Sequence, residues 1–203
     1  KTLSSMGYIK EEIRKLTKGK GKLKASKESN QWFEKSLKDN KEKAVGSIRS
    51  RFVPGKMYVF EYTPITKEIK WYDDNPVVLA LDPYDGDDIG INITMLPPKF
   101  REEFLDEIYN RYESSIKSAS KKEDAKKQKG LPTFSYKGAK QYLESFGYDF
   151  AIRRYKPSSK KNQAVVAYKD WCKMAICDFD SLQGINKQQL IKLFEDHRRK
   201  KNI

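Results

Sequence analysis

Histidine and cysteine are nearly absent from this sequence, and their scarcity excludes several kinds of catalytic and metal site. The chain has 203 residues but only one histidine and two cysteines. His197 precedes four basic residues, which argues against most histidine-dependent catalysis. Cys172 and Cys177 follow a C-x4-C spacing that matches no zinc motif. The sequence therefore predicts no metal site and no cofactor, and favours two buried thiols in a reducing compartment.

Several motifs that mark enzymes and membrane proteins are also missing. The sequence contains no G-x-x-x-x-G-K-[ST] phosphate loop, no G-x-S-x-G nucleophile elbow and no G-x-G-x-x-G after a strand. No apolar run approaches the ~18 residues of a membrane span. We therefore expect neither a membrane partner nor a small-molecule substrate.

Carboxylates form the one remaining candidate for a catalytic site. Asp73 and Asp74 precede a predicted strand, and Asp85, Asp87 and Asp88 follow it. These oxygens could hold a divalent metal for phosphodiester cleavage. A tight turn has the same composition, however, and ligands of hydrolytic metals usually come from several elements. The pattern favours a turn, with a metal-dependent nuclease as a minority hypothesis.

Positive charge is plentiful but unevenly distributed. The formal net charge is +14 at pH 7. Residues 1–51 carry 15 Lys/Arg against 6 Asp/Glu, and residues 114–203 carry 21 against 9. Residues 52–113 carry 6 against 13 and are acidic. Clustered basic residues on both sides predict a polyanionic partner, although a solvated surface that only keeps the protein soluble has the same composition.

Charge and apolar patterning together predict two parts. A basic helical arm occupies residues 1–51, with helices over 8–20 and 29–45 joined by a flexible basic link. An α+β core occupies residues 52–203 and includes a basic exposed segment at about 117–130.

The core is expected to be a small antiparallel sheet or partly open barrel framed by helices. Further helices are predicted from Pro98, over residues 133–146 and from Asn186, where Gln189 completes a capping box. A basic hairpin tip is expected at residues 156–163. Alternating or continuous apolar residues predict strands over six segments: 56–62, 76–81, 89–94, 148–155, 163–168 and 171–179.

Cations on loops and helix ends form the candidate nucleic-acid interface. Lysine outnumbers arginine over the whole set, which favours sequence-independent, salt-sensitive contact with the phosphate backbone. The candidate residues are Lys18, Lys20, Lys22, Lys24, Lys121, Lys122, Lys126, Lys127, Arg153, Arg154, Lys160, Lys161, Arg198 and Arg199.

Aromatic residues near two of these regions have two interpretations each. Tyr148, Phe150 and Tyr155 flank the arginines at 153 and 154, where they form either part of the core, which is favoured, or a stacking surface for bases. Trp71 and Tyr72 either seal the edge of the core or form a contact patch for a partner protein.

Three motifs carry a resemblance to a known family. PGKMYVFEYTPITK at 54–67, WYDDNPVVLAL at 71–81 and GINITMLPPKFR at 90–101 resemble a motif set in small virion proteins of T-even-like tailed bacteriophages. The resemblance extends in order over about residues 50–195. It departs from the family pattern at Trp71, Asn75, Thr94 and Met95. None of these positions has a catalytic role that could be transferred.

This resemblance implies the DNA end protector family. Its members are non-enzymatic virion proteins, made in the bacterial cytoplasm, that bind the ends of packaged double-stranded DNA and shield them from host exonuclease. Their partners are therefore DNA ends or the packaged genome and other phage virion proteins. The alternative is a structural adaptor of the tail, neck or baseplate whose basic arms dock on neighbouring subunits.

Overall fold

The computed structural model describes residues 7–43, 51–65, 72–83, 85–121, 135–179 and 186–200. The helices are α1 (Tyr8–Thr17), α2 (Gly21–Lys43), α3 (Pro98–Arg111), α4 (Glu113–Ser120), α5 (Tyr136–Ser145), α6 (Trp171–Ile176) and α7 (Lys187–Lys200). The strands are β1 (Met57–Tyr62), β2 (Val77–Ala80), β3 (Asp88–Asn92), β4 (Ile152–Tyr155) and β5 (Lys160–Val166). The predicted α+β class is confirmed. No helix in these ranges combines the length and apolarity needed to cross a membrane.

The strands form one antiparallel sheet in the order β4-β3-β2-β1-β5. Strands β1, β2 and β3 are neighbours in the sheet in their order along the chain, as is usual for consecutive strands. Gly90 of β3 lies opposite Ala80 of β2. A Cβ at Gly90 would lie 2.2 Å from Val78 Cγ1 and 2.8 Å from the Leu79 carbonyl oxygen, so this close approach requires glycine.

The end strands β4 and β5 are not paired with each other, so the described sheet is not a closed barrel. It is nevertheless strongly curled. Three strand spacings separate β4 from β1, about 14 Å in a flat sheet. The rings of Tyr155 on β4 and Phe60 on β1 nevertheless lie 5.2 Å apart, centroid to centroid. The two strands at the ends of the order are joined by residues 156–159 alone. The predicted hairpin tip over 156–163 is therefore wrong, because β4 and β5 belong to opposite ends of the sheet.

Alternating side chains divide the core between the two faces of the sheet. Met57 and Val59 point to the convex face and belong to the main hydrophobic cluster, together with residues of α1, α3 and α6. Tyr58 and Phe60 point to the concave face, where a small aromatic cluster also includes Phe52. The predicted alternation along this strand is confirmed.

Both helices of the predicted N-terminal arm pack on the core. Ile9 and Ile13 of α1 and Ala25 of α2 are buried in the main cluster, and α1 contacts α3 and α6. This agrees with the low stability of isolated helices of this length. The division at residue 51 remains a prediction about folding units.

One predicted strand, residues 171–179, is wrong because its first six residues form helix α6. A short, continuously apolar segment fits a buried helix as well as a buried strand, and periodicity alone does not separate them. Arg101 of α3 stabilises the end of this helix by donating to the Cys177 and Met174 carbonyl oxygens at 2.8 and 3.3 Å. Burial lowers the pKa of Arg101 to about 10.

Two other boundaries differ from the predictions, whereas the start of the last helix agrees with them. The strand predicted over 148–155 begins at Ile152, and a 3-10 turn occupies Asp149–Ala151. Helix α4 extends to Ser120, and residues 122–130 of the predicted basic segment lie outside the described ranges. At α7, the backbone N–H groups of Asn186 and Gln189 each donate to the other's side-chain oxygen at 2.9 Å, which confirms the capping box.

Candidate nucleic-acid interface

The first basic cluster lies on a turn and a helix, so the predicted flexible link is wrong. Gly19 and Gly21 have φ of 75° and 77°, and their left-handed backbone makes a tight connection from which α2 starts directly. Lys18 and Lys24 are exposed. Lys20 pairs with Glu28, and Lys22 pairs with Glu102 of α3 at 2.8 Å.

The earlier start of α2 creates a lysine stripe that the sequence analysis missed. We define the lysine stripe as Lys24, Lys27, Lys35 and Lys38. All four side chains are exposed, and their positions fall within a sector of about 80° around the helix axis. Among ion pairs between described residues, none involves these four lysines.

The lysine stripe lies opposite the buried face of α2. Ala25 and Ser29 on that face are 2% and 4% exposed. The stripe extends from residue 24 to residue 38, a rise of 14 helical steps, and is therefore about 21 Å long. Duplex DNA carries a phosphate charge about every 1.7 Å of its axis, so roughly twelve phosphates occupy such a length. The helical spacing of lysines at positions 24, 27, 35 and 38 could have indicated the stripe from the sequence. This spacing is informative only when residues 24 to 38 are assigned to one helix.

The second and fourth predicted clusters are described only in part. Lys121 is exposed directly after α4, whereas Lys122, Lys126 and Lys127 lie outside the described ranges. Arg199 is exposed on α7. The side chain of Arg198 is not among those described. These cations remain predictions.

In the third cluster, on β4 and β5, two of the four predicted cations are paired with carboxylates. Arg154 pairs with Asp85 at 3.1 Å and with Asp87. Asp85 and Gly86 form the turn before β3, as the sequence favoured over a metal site. No group of three or more His, Cys, Asp or Glu side chains in the described ranges is arranged to hold a metal ion.

Lys160 is the clearest correction among the predicted DNA contacts. Its side chain is 1% exposed and its ammonium donates to the equally buried Asp88 carboxylate. The ammonium also lies 4.0 Å from the centroid of the Phe52 ring. Burial lowers the pKa of Lys160 from its usual 10.5, and the Asp88 carboxylate opposes that shift. A phosphate cannot reach this group, whereas neighbouring Lys161 is exposed.

Arg153 lies on the concave face, opposite Gly90 in register. It borders a cleft of about 270 Å³. The cleft is lined chiefly by polar and aromatic side chains: Tyr62, Tyr72, Asp73, Asn92, Met95, Arg153, Arg154 and Tyr155.

The buried wall of the cleft is a small hydrogen-bonded network. Asp73 is 9% exposed, and its Oδ2 accepts from Asn92 Nδ2 at 2.9 Å and from the Thr94 hydroxyl. Burial raises the pKa of the Asp73 carboxyl, while these two donors and the charge of Arg153 oppose the shift.

The predicted aromatic contacts have different positions. Tyr148 is buried and packs 4.5 Å from Phe100 and 6.2 Å from Phe150, so this group belongs to the core. Tyr155 is buried in the concave cluster. Tyr72 is half-buried, with its ring centroid 6.1 Å from that of Tyr62. Trp71 lies outside the described ranges, so the predicted Trp71–Tyr72 protein contact remains a prediction.

The fold and these surfaces define a basic α+β protein with a curled antiparallel sheet and an exposed lysine stripe on one helix. A family model described as Phage T4 terminal DNA protecting protein matches residues 1–192. The chain belongs to this family, which confirms the resemblance predicted from residues 54–101. No curated protein and no solved structure matches the chain.

Proposed function

We propose that the protein binds the ends of packaged double-stranded DNA without sequence specificity and shields them from host exonuclease. The family description, which names terminal DNA protection, supports the general role. The net charge of +14 supports a polyanionic partner. Protection would be steric and non-enzymatic, because a bound protein denies an exonuclease access to the terminus.

The lysine stripe is the observation that carries the DNA-binding part of this proposal. Four exposed cations follow one face of a long helix whose other face is anchored in the core. Such a row can follow a phosphate backbone over about 21 Å without presenting a shape complementary to bases. Lysine ammonium groups act as point charges and favour phosphate contact over bidentate recognition of base edges.

The family description also supports a site of action in a phage particle. A protein that protects packaged ends would be a virion component in contact with the genome and with other virion proteins. Lys18, Lys121, Lys161 and Arg199 are exposed cations outside the stripe that could extend the DNA contact.

A salt series of binding titrations on blunt duplex DNA tests the proposal. The logarithm of the association constant should fall linearly with the logarithm of salt concentration. Changing the stripe by K24Q, K27Q, K35Q and K38Q together should reduce the slope by up to about 3.6, at about 0.9 per lost phosphate contact. The same variant should lose protection of linear DNA in an exonuclease digestion.

A matched variant controls for the change in net charge. Lys99, Lys117, Lys137 and Lys140 are exposed and lie on α3, α4 and α5. Changing these four lysines to Gln should leave the slope and the protection nearly unchanged. Absence of DNA binding by the unmodified protein at low salt would contradict the proposal and favour the adaptor role in the tail, neck or baseplate.

A further inference from the structure

The cleft on the concave face combines three kinds of chemistry within about 270 Å³. Tyr62 from β1 and Tyr72 from the segment before β2 provide half-exposed aromatic rings. Arg153 from β4 provides a cation. Asp73 and Asn92 provide buried polar groups. Three parts of the sheet therefore converge on one small volume.

The rings are held in place by the aromatic cluster behind them. Tyr62 makes edge-to-face contacts with Tyr72 and Tyr155, at centroid distances of 6.1 and 5.3 Å. Tyr155 is itself buried against Phe60. A surface built in this way keeps its shape when a planar ligand stacks on it, because little side-chain freedom remains to be lost.

The polar groups lie in an order that suits a nucleotide better than a free phosphate. The buried Asp73 carboxylate repels phosphate from the depth of the cleft but accepts hydrogen bonds from amino and ring N–H groups. Its Oδ2 accepts from Asn92 and Thr94, and a carboxylate has further lone pairs that can accept a hydrogen bond from a base. The Arg153 guanidinium pairs well with phosphate oxygens.

We propose that this cleft holds the terminal nucleotide of one DNA strand, with its base on Tyr62 and Tyr72 and its phosphate toward Arg153. This inference rests on the proposed function. A duplex is too large to enter a cleft of about 270 Å³, because the major groove of the duplex alone is about 12 Å wide. Only a nucleotide released by fraying at an end can reach the cleft. The lysine stripe would then hold the duplex, and the cleft would distinguish an end from the middle.

The test compares two DNA molecules of equal length and sequence with the full chain. One is an open blunt duplex, and the other is a dumbbell whose strands are closed by loops at both ends. The open duplex should bind more tightly than the dumbbell. In the variant Y72A/R153Q that preference should fall about tenfold, the size of one lost base-stacking contact, while the affinity for the dumbbell should stay the same. R111Q is the control, since Arg111 is exposed, pairs with Glu107 at 2.7 Å and lies outside the lining of the cleft.

A second measurement needs no variant. The fluorescent base 2-aminopurine, placed at the terminal position of the open duplex, should be quenched by stacking when the unmodified protein binds. The same base at an internal position should keep its emission. Equal affinity for the two DNA molecules, equal signals at the two positions or an unchanged preference in a folded Y72A/R153Q would overturn the inference. Failure to bind either DNA at low salt would instead reject the proposed function.

Discussion

Two regions rich in cations differ in what surrounds them. The lysine stripe on α2 is exposed along its whole length. On β4 and β5, Arg154 is paired with turn carboxylates and Lys160 is buried against Asp88. Both regions are basic in sequence, but Arg154 and Lys160 are paired with carboxylates, whereas the four lysines of the stripe take part in none of the described ion pairs. A count of cations is therefore a poor guide to a binding surface until their counter-ions are known.

The acidic central stretch accounts for the difference. Residues 52–113 carry 6 Lys/Arg against 13 Asp/Glu. The turn before β3 brings three of these carboxylates to the strands at the ends of the sheet order: Asp85, Asp87 and Asp88. Part of the acidic charge thus serves to hold the curled sheet together. Many of the exposed cations lie on helices, including the four lysines of the stripe on α2.

The largest effect should come from breaking the buried pair. In Lys160→Met, the Asp88 carboxylate loses its buried partner and keeps only the partly exposed Arg51 at 3.3 Å, so the free energy of unfolding should fall by roughly 3 kcal/mol. Lys24→Met on the stripe should change it by less than about 0.5 kcal/mol. Urea denaturation of both variants measures the difference. Equal stability of the two variants would contradict a structural role for Lys160.

Removing the carboxylates that pair with Arg154 should make this cation available for contact with DNA. The double change Asp85→Asn and Asp87→Asn removes both ion-pair partners of Arg154. The affinity for duplex DNA should rise, and the magnitude of the salt slope should increase by about 0.9. Asp82→Asn is the control, because this exposed carboxylate takes part in none of the described ion pairs. A slope that stays constant would show that Arg154 lies away from the DNA.

A single change on the stripe should alter the salt slope by a similar amount to the Asp85/Asp87 double change, but in the opposite direction. Lys35 is exposed near the middle of the stripe. Lys35→Gln should reduce the magnitude of the salt slope by about 0.9 and weaken binding equally on unrelated duplex sequences. A strong dependence on sequence would argue against backbone contact. The salt slope of the variant with all four stripe lysines changed to Gln is the reference for this single change.

The smallest effect is expected for Arg154→Gln. Its guanidinium is already paired, so the affinity for blunt duplex DNA should change by less than about twofold. Loss of these solvent-exposed ion pairs should have little effect on stability. A reduction in salt slope as large as that of Lys35→Gln would show that the turn carboxylates leave Arg154 available to phosphate.

Local patterns in the sequence predicted much of the fold but only part of the candidate interface. The alternation along β1 correctly predicted the two faces of that strand, and the capping box at Asn186 correctly predicted the start of α7. Both patterns involve residues that are close together along the chain. The lysine stripe was missed because the start of α2 was placed after Gly21, which separated Lys24 and Lys27 from Lys35. Helix α6 was mistaken for a strand because a short apolar run has no informative period.

The sequence by itself determined the α+β class, the apolar faces of the strands, the resemblance to phage DNA end protectors and the excess of positive charge. These properties depend on composition and on residues close together along the chain. The tertiary structure alone decided which cations are accessible. The carboxylates that neutralise Arg154 and Lys160 lie 67 to 72 residues away in sequence, and the curled sheet brings them together. Burial and long-range pairing, rather than residue type, therefore separate the structural cations of β4 and β5 from the exposed lysines of α2.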